Sequence, residues 1–468
     1  MSLQLYFADH SLIAEHECAI SDELATTHKV PAGCPIILDE QFWPLQPWTE
    51  FLRRYSRNVA ANTARAYGRD LFQVARYFVS KTITWQTVTN DDLSDYRDYR
   101  LGQGISHRTW QRETVILRAF FNYLVEQGLL SKTPWQQIGR YSVVKPRPIS
   151  YEMDVRALTH DQWKQFKNVG LGGQLPDGLM DMSFRGRSVQ RDTTAAELAI
   201  TTGLRLQEWR TLLQVELIQT DGEGASVVLE STTKGQHRRT IYIPSKTTDD
   251  INLYVNTERK RVVRNAQKWL SRHSEGLALV NNIEQNTGKI SYAYRGRSYR
   301  KQYFQIPIQH RAVLVEHRDS HIEPLSLFVG TTGKPPSQRS WHNTFAQANR
   351  RLQHFTGTSH YTGRPISPHD LRHTFAVVLL QHLQLRALQN SRPGRAGHGT
   401  LSEHIISNPL LTVQRLLGHA SPATTMIYLR YLEEADALIQ RAFDAWGDPL
   451  KDYSDYVIDH ILAGGNQN

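Results

Sequence analysis

The chain is predicted to be mainly helical with a small β-sheet, an α+β fold in at least two domains, and three observations support this. Apolar residues at helical spacing recur through most of 48–140 and of the chain after 150. A Pro-rich basic stretch, KPRPIS at 145–150, separates these parts and is typical of an interdomain linker. The segment VVLESTTKGQHRRTIYIP, which ends at Pro244, has β-branched runs around a Lys-Gly turn and predicts a hairpin.

Residues 48–144 are predicted to form a small helical bundle, after an extension, 1–47, that shows little periodicity and whose role stays open. One helix starts in WTEFLRRYS, and the next three have as N-caps Asn62, Asn90 and Ser106. Gly128 lies just past the end of the last helix. The core face of that helix carries apolar residues at i, i+3, i+4 and i+7, namely Leu117, Phe120, Phe121 and Leu124.

Residues 151–432 are predicted to form the second domain, with a basic and irregular insertion near 255–325. Basic residues mixed with tyrosines, as in RGRSYRK at 295–301, can follow a nucleic acid backbone. A solvated surface explains the insertion equally well, and both interpretations stay open. A tail helix is predicted in 433–468, because an apolar stripe runs through LEEADALIQRAFDAWG.

The composition indicates a soluble protein with a basic balance. Lys and Arg outnumber Asp and Glu by 55 to 45, a formal net charge of +10, which favours a polyanionic partner. The two cysteines, Cys18 and Cys34, give no disulfide framework, and the N-terminal residues lack the pattern of a signal peptide. No stretch approaches the roughly 20 apolar residues of a membrane span. We therefore expect a cytoplasmic protein that contacts no membrane.

Two segments early in the second domain carry polar residues in an apolar setting. In TTGLRLQEWRTLL, Arg205 and Glu208 are three positions apart on one helix face, and Gly203 allows a close approach of the chain. In STTKGQHRRTIYIP, Lys234 lies at the tip of the predicted hairpin. Taken singly, these residues fit a surface ion pair and an exposed turn lysine.

A third segment, SPHDLRHTFAVVLL, places three polar residues on one helix face. Pro368 suits a helix start, and His369, Arg372 and His373 follow with spacing i, i+3 and i+4. Two histidines four apart could hold zinc, but the arginine between them disfavours a metal. An arginine flanked by histidines fits an anion such as a phosphodiester.

The fourth segment, VQRLLGHASPATTMIYLRY, contains a helix end, a turn and a tyrosine. Gly418 is predicted to end one helix, and Pro422 to open the next. His419 lies at the corner between them, and Tyr428 follows on the new helix. A tyrosine on a helix is most often a packing residue, so this segment alone does not identify a nucleophile.

In this order, the four segments resemble the active-site motifs of tyrosine recombinases, which include phage integrases and the chromosome-dimer resolving recombinases. The matching strings are TGLRLQE, HDLRHTFA and LLGHASPATTMIY. The resemblance covers about 48–432, with no departure at a principal catalytic position. It implies that 48–144 is a helical core-binding (SAM-like) domain that contacts double-stranded DNA and that 151–432 is an integrase-type catalytic domain.

The resemblance also implies which residues act. Tyr428 would attack a backbone phosphorus, giving a 3′-phosphotyrosyl link and a free 5′-hydroxyl. Glu208 would orient the site rather than react, and His373 would be structural. No metal and no other cofactor is implied. The residues expected to take part directly are Arg205, Lys234, His369, Arg372, His419 and Tyr428.

The resemblance implies the remaining roles as well, and each role fits what the side chain can do. Arg205, Arg372 and His419 would stabilise charge on the phosphoryl oxygens. Lys234 would protonate the leaving 5′-oxygen. His369 would assist proton transfer from the tyrosine or bind phosphate.

The implied function is site-specific recombination for the integration, excision or transposition of a mobile element. The implied assembly is a homotetramer on paired sites, with accessory proteins as further partners. In the family a helix after the nucleophile commonly docks on a neighbouring protomer, although the predicted tail helix could instead pack on its own domain. Two alternatives stay open: a type IB topoisomerase-like enzyme that relaxes DNA, and a DNA-binding protein that has lost catalysis. Tyr431 is the fallback nucleophile.

Overall fold

The computed structural model describes residues 2–8, 30–31, 33–136, 142–145, 155–220, 224–318, 321–360, 364–390, 408–419 and 421–429. The chain divides into two compact units, Met1–Glu152 and Met153–Asn468. The predicted tail helix in 433–468 and the fallback nucleophile Tyr431 lie outside the described residues. Within them, no helix is both long and apolar enough to cross a membrane.

The described part of the first unit contains four α-helices and a strand pair. The helices are α1 (Trp48–Tyr55), α2 (Ala61–Ser80), α3 (Asn90–Gly102) and α4 (His107–Glu126). The strands β1 (Gln4–Phe7) and β2 (Pro35–Leu38) pair antiparallel. Both strands belong to the extension 1–47, where no element was predicted. Leu3 and Ile37 from this extension are buried in the apolar core of the helices.

The predicted helix starts in this unit are right to within one or two residues. Ser106 caps α4 through its side chain, as predicted. Thr89, rather than Asn90, caps α3, and Asn62 lies inside α2 rather than before it. The predicted core face of α4 is confirmed, because four of its side chains are fully buried: Leu117, Phe120, Phe121 and Leu124.

Most of the described part of the second unit is helical. Its helices are α5 (His160–Gln165), α6 (Val189–Thr202), α7 (Leu206–Trp209), α8 (Ser245–Tyr254), α9 (Lys260–Arg272), α10 (Ile308–Arg311), α11 (Gln338–His360), α12 (Pro368–Asn390), α13 (Pro409–Leu417) and α14 (Ala423–Met426). π-helical turns extend α5 through Phe166–Leu171 and join α8 to α9 over Val255–Arg259. Every residue of 194–202 is buried, so α6 lies at the centre of this unit.

The predicted hairpin is confirmed. Strands β3 (Ile218–Thr220), β4 (Gly224–Leu229) and β5 (Arg239–Pro244) form an antiparallel sheet in that order. In the β4–β5 pair, Leu229 lies opposite Arg239. The turn between these strands carries Lys234.

The region 255–325, predicted to be irregular, instead holds α9 and a second sheet. Its strands are β6 (Ala278–Glu284), β7 (Lys289–Tyr294), β8 (Arg297–Gln302), β9 (Leu314–Arg318) and β10 (His321–Pro324). The spatial order is β10-β9-β6-β7-β8, with β6 and β9 parallel and the other neighbours antiparallel. The prediction was wrong because basic and polar residues alternate with the buried ones, as Lys289 precedes Ile290, and obscure the strand pattern.

Candidate active site

Gly203, at the end of α6, brings the next residues close to the core of the second unit. Its φ is +63°, and a Cβ there would lie 2.2 Å from the Phe375 ring of α12, so only glycine fits, as predicted. Arg205 follows at the start of α7, and its Nη1 donates to Glu208 Oε1 at 3.2 Å. The predicted ion pair is confirmed. It is not a surface pair, because the Glu208 side chain is 0% exposed.

A second guanidinium reaches Glu208 from the hairpin. Arg239 opens β5 and donates from Nη2 to Glu208 Oε2 at 2.6 Å, with its side chain only 6% exposed. This residue was not predicted for the site. The signal was present in the strand alternation, because Arg239 shares its face of β5 with the buried Ile241 and Ile243. Lys234, the hairpin residue that was predicted, is exposed in the turn.

Helix α12 places its polar residues in different surroundings. Arg372 is 1% exposed and donates to the carbonyl oxygens of Gly203 and Leu417, each at 2.6 Å. Burial and the neighbouring charge of Arg205 lower the pKa of Arg372 to about 9, so the guanidinium still carries its charge at neutral pH. His369, one turn earlier, is exposed.

The corner between α13 and α14 carries His419. Gly418 ends α13 with a φ of +63°, as predicted, and its carbonyl oxygen lies 3.5 Å from Arg205 Nη2. His419 Nδ1 lies 2.9 Å from Thr425 Oγ1. Burial, followed by the charges of Arg372 and Arg205, lowers the pKa of His419 to about 3. The imidazole is therefore neutral near pH 7.

Tyr428 lies in the core of the second unit and is 1% exposed. Its Oη is 3.0 Å from His373 Nδ1, and its ring is nearly parallel to the His419 ring, with centroids 6.2 Å apart. Burial raises the pKa of Tyr428 to about 12, although Arg372 and Arg205 act in the opposite direction. His373, predicted to be merely structural, thus contacts the hydroxyl of the predicted nucleophile.

The assembled site has a surplus of positive charge. Arg205 and Arg239 both bond Glu208, and Arg372 lies close enough to lower the pKa of that carboxyl. Two of the three guanidiniums around this carboxylate, Arg205 and Arg372, also act on the Tyr428 hydroxyl and can stabilise the oxygens of a phosphodiester under attack. In the described part of the chain, no three His, Cys, Asp or Glu side chains are grouped so as to hold a metal ion.

Comparison with known families gives an independent result. The family model of the phage integrase N-terminal SAM-like domain matches residues 45–128, and that of the phage integrase family matches residues 177–392. The chain belongs to the tyrosine recombinase (phage integrase) family. The recombinase therefore cuts and rejoins DNA, and its mainly helical fold with small sheets is the one predicted.

Similar proteins include tyrosine recombinases of two bacteria. The recombinase is 24% identical over 376 residues to tyrosine recombinase XerD of Pseudomonas aeruginosa, with 80% of this chain and 87% of that protein covered. It is 25% identical over 388 residues to XerD of Listeria innocua, with 80% and 89% covered. The catalytic family model ends before His419 and Tyr428, so the roles of these two residues depend on the geometry of the site.

Similar solved structures include two recombinases bound to DNA. One is XerH site-specific recombinase on a palindromic difH substrate, with 16% identity, a TM-score of 0.46 and 84% of each chain covered. Another is a lambda integrase dimer on a core site, with 13% identity, a TM-score of 0.45 and 82% of this chain and 94% of that chain covered.

Proposed function

We propose that the recombinase acts at specific sites in double-stranded DNA and serves the integration, excision or transposition of a mobile element, with Tyr428 as its nucleophile. The observation that carries this proposal is the position of the Tyr428 hydroxyl beside the guanidiniums of Arg205 and Arg372, which Arg239 joins through Glu208. Such a cluster is suited to a phosphodiester, because guanidinium N–H groups bond phosphoryl oxygens in pairs.

In the proposed reaction, Tyr428 Oη forms a bond to a backbone phosphorus and the bond from that phosphorus to the 5′-oxygen breaks. The product is a 3′-phosphotyrosyl link with a free 5′-hydroxyl. The link has one phosphate ester in place of another, so attack by a 5′-hydroxyl can rejoin the strand without ATP. Arg205 and Arg372 stabilise the charge that develops on the phosphoryl oxygens, and His419 is a further hydrogen-bond donor.

Two protons have to move in this step. Lys234 is proposed to protonate the leaving 5′-oxygen, and its exposure in the hairpin turn is compatible with reaching DNA bound over the site. The proton of Tyr428 has an acceptor of suitable position in His373, whose Nδ1 is 3.0 Å away. His369 is exposed, which favours phosphate binding over proton transfer between its two proposed roles.

The nucleophile has to become accessible before it can react. Tyr428 is 1% exposed, so a DNA phosphate can meet its hydroxyl only after 421–429 changes position. We propose that DNA binding and assembly of a tetramer on paired sites bring about this change, with accessory proteins as additional partners. The predicted helix in 433–468 directly follows Tyr428 and is the segment that would link neighbouring protomers.

The exposed face of α9 is proposed to add contacts to the DNA backbone. Four cations spaced four residues apart share that face, and this α9 stripe comprises Lys260, Arg264, Lys268 and Arg272. The stripe spans about 18 Å of helix, and the sequence of α9 contains no acidic residue. Arg259 does not belong to it, because this residue is buried.

Covalent capture tests the proposed function. Fragments of the DNA that flanks the gene of the chain are first screened for binding in a gel-shift assay. A bound fragment is nicked near its centre, incubated with wild type, Tyr428→Phe or Tyr431→Phe, and run on a denaturing gel. Tyr254→Phe is the matched control, because Tyr254 is a fully buried tyrosine of the same core whose hydroxyl is hydrogen-bonded to the Val329 amide.

We expect a protease-sensitive adduct with wild type, Tyr254→Phe and Tyr431→Phe, and none with Tyr428→Phe. An adduct that persists in Tyr428→Phe and disappears in Tyr431→Phe would contradict the assignment of the nucleophile. If wild type binds the fragment and forms no adduct, the alternative of a DNA-binding protein without catalysis is favoured. If it relaxes a supercoiled plasmid but exchanges no strands between two bound sites, the topoisomerase-like alternative is favoured.

A further inference from the structure

Glu208 is the only carboxylate that bonds the guanidiniums of the described site, and its two oxygens face different partners. Oε1 accepts from Arg205 Nη1 at 3.2 Å. Oε2 accepts from Arg239 Nη2 at 2.6 Å and from the Arg205 backbone amide at 2.8 Å. The side-chain bond from Arg239 is therefore much the shorter of the two that hold this carboxylate.

The two arginines also differ in how firmly they are held. The Arg205 side chain is 26% exposed, whereas that of Arg239 is 6% exposed and extends from a residue in the β4–β5 ladder. A Cβ built on Gly418 would lie 3.1 Å from Arg239 Nη1, so the guanidinium is packed tightly beneath the corner that carries His419. Arg239 thus has little room to move, and Arg205 has more.

Arg239 is a buried cation whose hydrogen bonds are incomplete. Its Nε and Nη1 are buried and have no hydrogen-bond partner among the described residues. A buried cation with unsatisfied N–H groups destabilises a fold, so a purely structural role does not explain it. Each unsatisfied buried group in a native structure calls for an explanation, and a role in the neighbouring site is one such explanation.

We propose that Arg239 is a positioning residue, which fixes the ionised Glu208 carboxylate and through it aims the Arg205 guanidinium at the DNA phosphate. The proposal rests on the role assigned to Arg205 above. Arg239 is proposed to act through Glu208 rather than on the DNA, because its Nη2 is engaged by that carboxylate and its Nη1 is packed against Gly418. Holding Arg205 before DNA arrives matters, because a donor misplaced by about 1 Å can lower a rate by about 100-fold.

The electrostatics of Glu208 provide a way to observe this role. The charged groups that face its carboxylate are Arg205 of its own turn, Arg239 from β5 and Arg372 from α12. Burial raises the pKa of Glu208, but Arg239 first, and then Arg372 and Arg205, lower it, so that it lies below its usual range. Without Arg239 the effect of burial is opposed less strongly, so the pKa of Glu208 rises. The carboxylate then takes up a proton at a higher pH than in wild type.

The test measures the rate of adduct formation on a bound, nicked fragment from pH 5.5 to pH 9. The variants are Arg239→Met, Arg239→Lys, Glu208→Gln and the double variant Arg239→Met/Glu208→Gln. Arg238→Met is the matched control, because Arg238 is the preceding residue on the hairpin, is exposed and stacks on Phe304 at 4.4 Å. DNA affinity and melting temperature are recorded for every variant.

For Arg239→Met we expect a loss of about 100-fold near pH 6 that diminishes as the pH rises and Glu208 ionises. Arg239→Lys restores most of the rate and removes the added pH dependence. Glu208→Gln is slow at every pH. The double variant is no slower than Glu208→Gln, because Arg239 acts only through that carboxylate. Arg238→Met matches wild type throughout.

Two results would overturn the inference. One is an Arg239→Met variant with the rate and pH profile of wild type. The other is a double variant that is slower than Glu208→Gln by a further large factor, which would mean that Arg239 acts independently. If Arg239→Met fails to fold, two variants still test the positioning role of Arg239. They are the double variant, which buries neither charge, and Arg239→Lys. A wild type that binds DNA and forms no adduct would overturn the proposed function as well, whereas the other two results leave that function intact.

Discussion

Arginines contact buried carboxylates in the region of the five-stranded sheet and in the active site of the second unit, and the two sets are bonded differently. In the sheet region, Arg311 pairs with Glu216 and donates to two backbone carbonyl oxygens at 2.9 and 2.8 Å, so each side-chain nitrogen has an acceptor. Arg259 likewise pairs with Glu323 and donates to neighbouring carbonyl oxygens. Each of these arginines has a carboxylate of its own.

In the active site, by contrast, three guanidiniums surround the single carboxylate of Glu208, and Arg239 has two nitrogens without a partner among the described residues. A buried arginine whose bonds are complete contributes to holding the fold together. A surplus of buried positive charge instead suits a site that receives a phosphate. The first kind of arginine should therefore affect stability when it is replaced, and the second kind should affect the reaction rate.

The largest expected effect is on the stability of Arg311→Met. Removing this cation leaves Glu216, itself 3% exposed, without its ion-pair partner, and we expect a loss of about 3–5 kcal/mol in the free energy of unfolding. Denaturant unfolding measures the loss. Arg311→Met/Glu216→Gln is the control and should recover most of it. If Arg311→Met instead lowers the cleavage rate without lowering stability, the structural role of Arg311 would be contradicted.

The next effect is on the rate of Arg205→Gln. Losing one pair of guanidinium donors to the phosphoryl oxygens should slow adduct formation by about 100-fold to 1,000-fold. The melting temperature should change little, because the Arg205 side chain is 26% exposed and Arg239 still holds Glu208. Arg205→Lys retains the charge without the planar fork and should recover only part of the rate. If Arg205→Gln forms the adduct at the wild-type rate, Arg205 takes no part in the reaction.

A smaller effect concerns pH and His373. Burial lowers the pKa of His373 to about 3 in the folded state, against about 6.5 in the unfolded chain. Between these values the unfolded chain binds a proton that the folded site does not, so stability falls as the pH drops below about 6.5, by at most about 1.4 kcal/mol per pH unit. Urea unfolding at pH 7 and pH 5 should show a weaker pH dependence for His373→Asn than for wild type. His342→Asn, at an exposed position of α11, should behave as wild type, and an equal change in both variants would contradict the assignment.

The smallest effect per residue is expected from the α9 stripe. Replacing its four cations by glutamine should weaken DNA binding and flatten the dependence of the logarithm of affinity on that of salt, by about 0.9 for each DNA phosphate that the stripe no longer neutralises. Titrations at several salt concentrations measure the slope. Arg300 and Arg318 are matched controls, because both are exposed but already pair with Glu284 and Glu316. An unchanged slope would make the stripe an ordinary solvated surface.

Most of what the sequence predicted correctly depends on local patterns. The core face of α4, the cap at Ser106 and the left-handed helix end at Gly418 follow from helical spacing and from residue types with specific backbone preferences. The predicted caps at Asn62 and Asn90 missed by one or two residues. Thr89 makes the cap hydrogen bond of α3, and α2 begins after Ala60, which makes no side-chain cap hydrogen bond. Local patterns identify an element better than they place its ends.

The five-stranded sheet shows where such patterns fail. In β7 the buried Ile290 and Tyr292 alternate with the half-buried Lys289 and Ser291, and β8 carries the exposed Arg297 and Arg300 with no buried residue, a pattern that also fits a solvated loop. The basic run before it contains one arginine, Arg259, that is buried and four stripe residues that are exposed. Charge does not separate the two kinds, but helical spacing does, because Arg259 shares the face of the buried Val263 and Leu270 and the stripe does not.

The sequence by itself determined the family, the mainly helical fold and the order of the polar residues that meet in the site, because these depend on residue type and spacing along the chain. The tertiary structure decided which side chains meet. It brought Arg239 from the hairpin to Glu208 and turned His373, rather than the exposed His369, toward the Tyr428 hydroxyl. Helical spacing gives two histidines of α12 a common face, but the contact that either one makes depends on another segment, which the spacing does not encode.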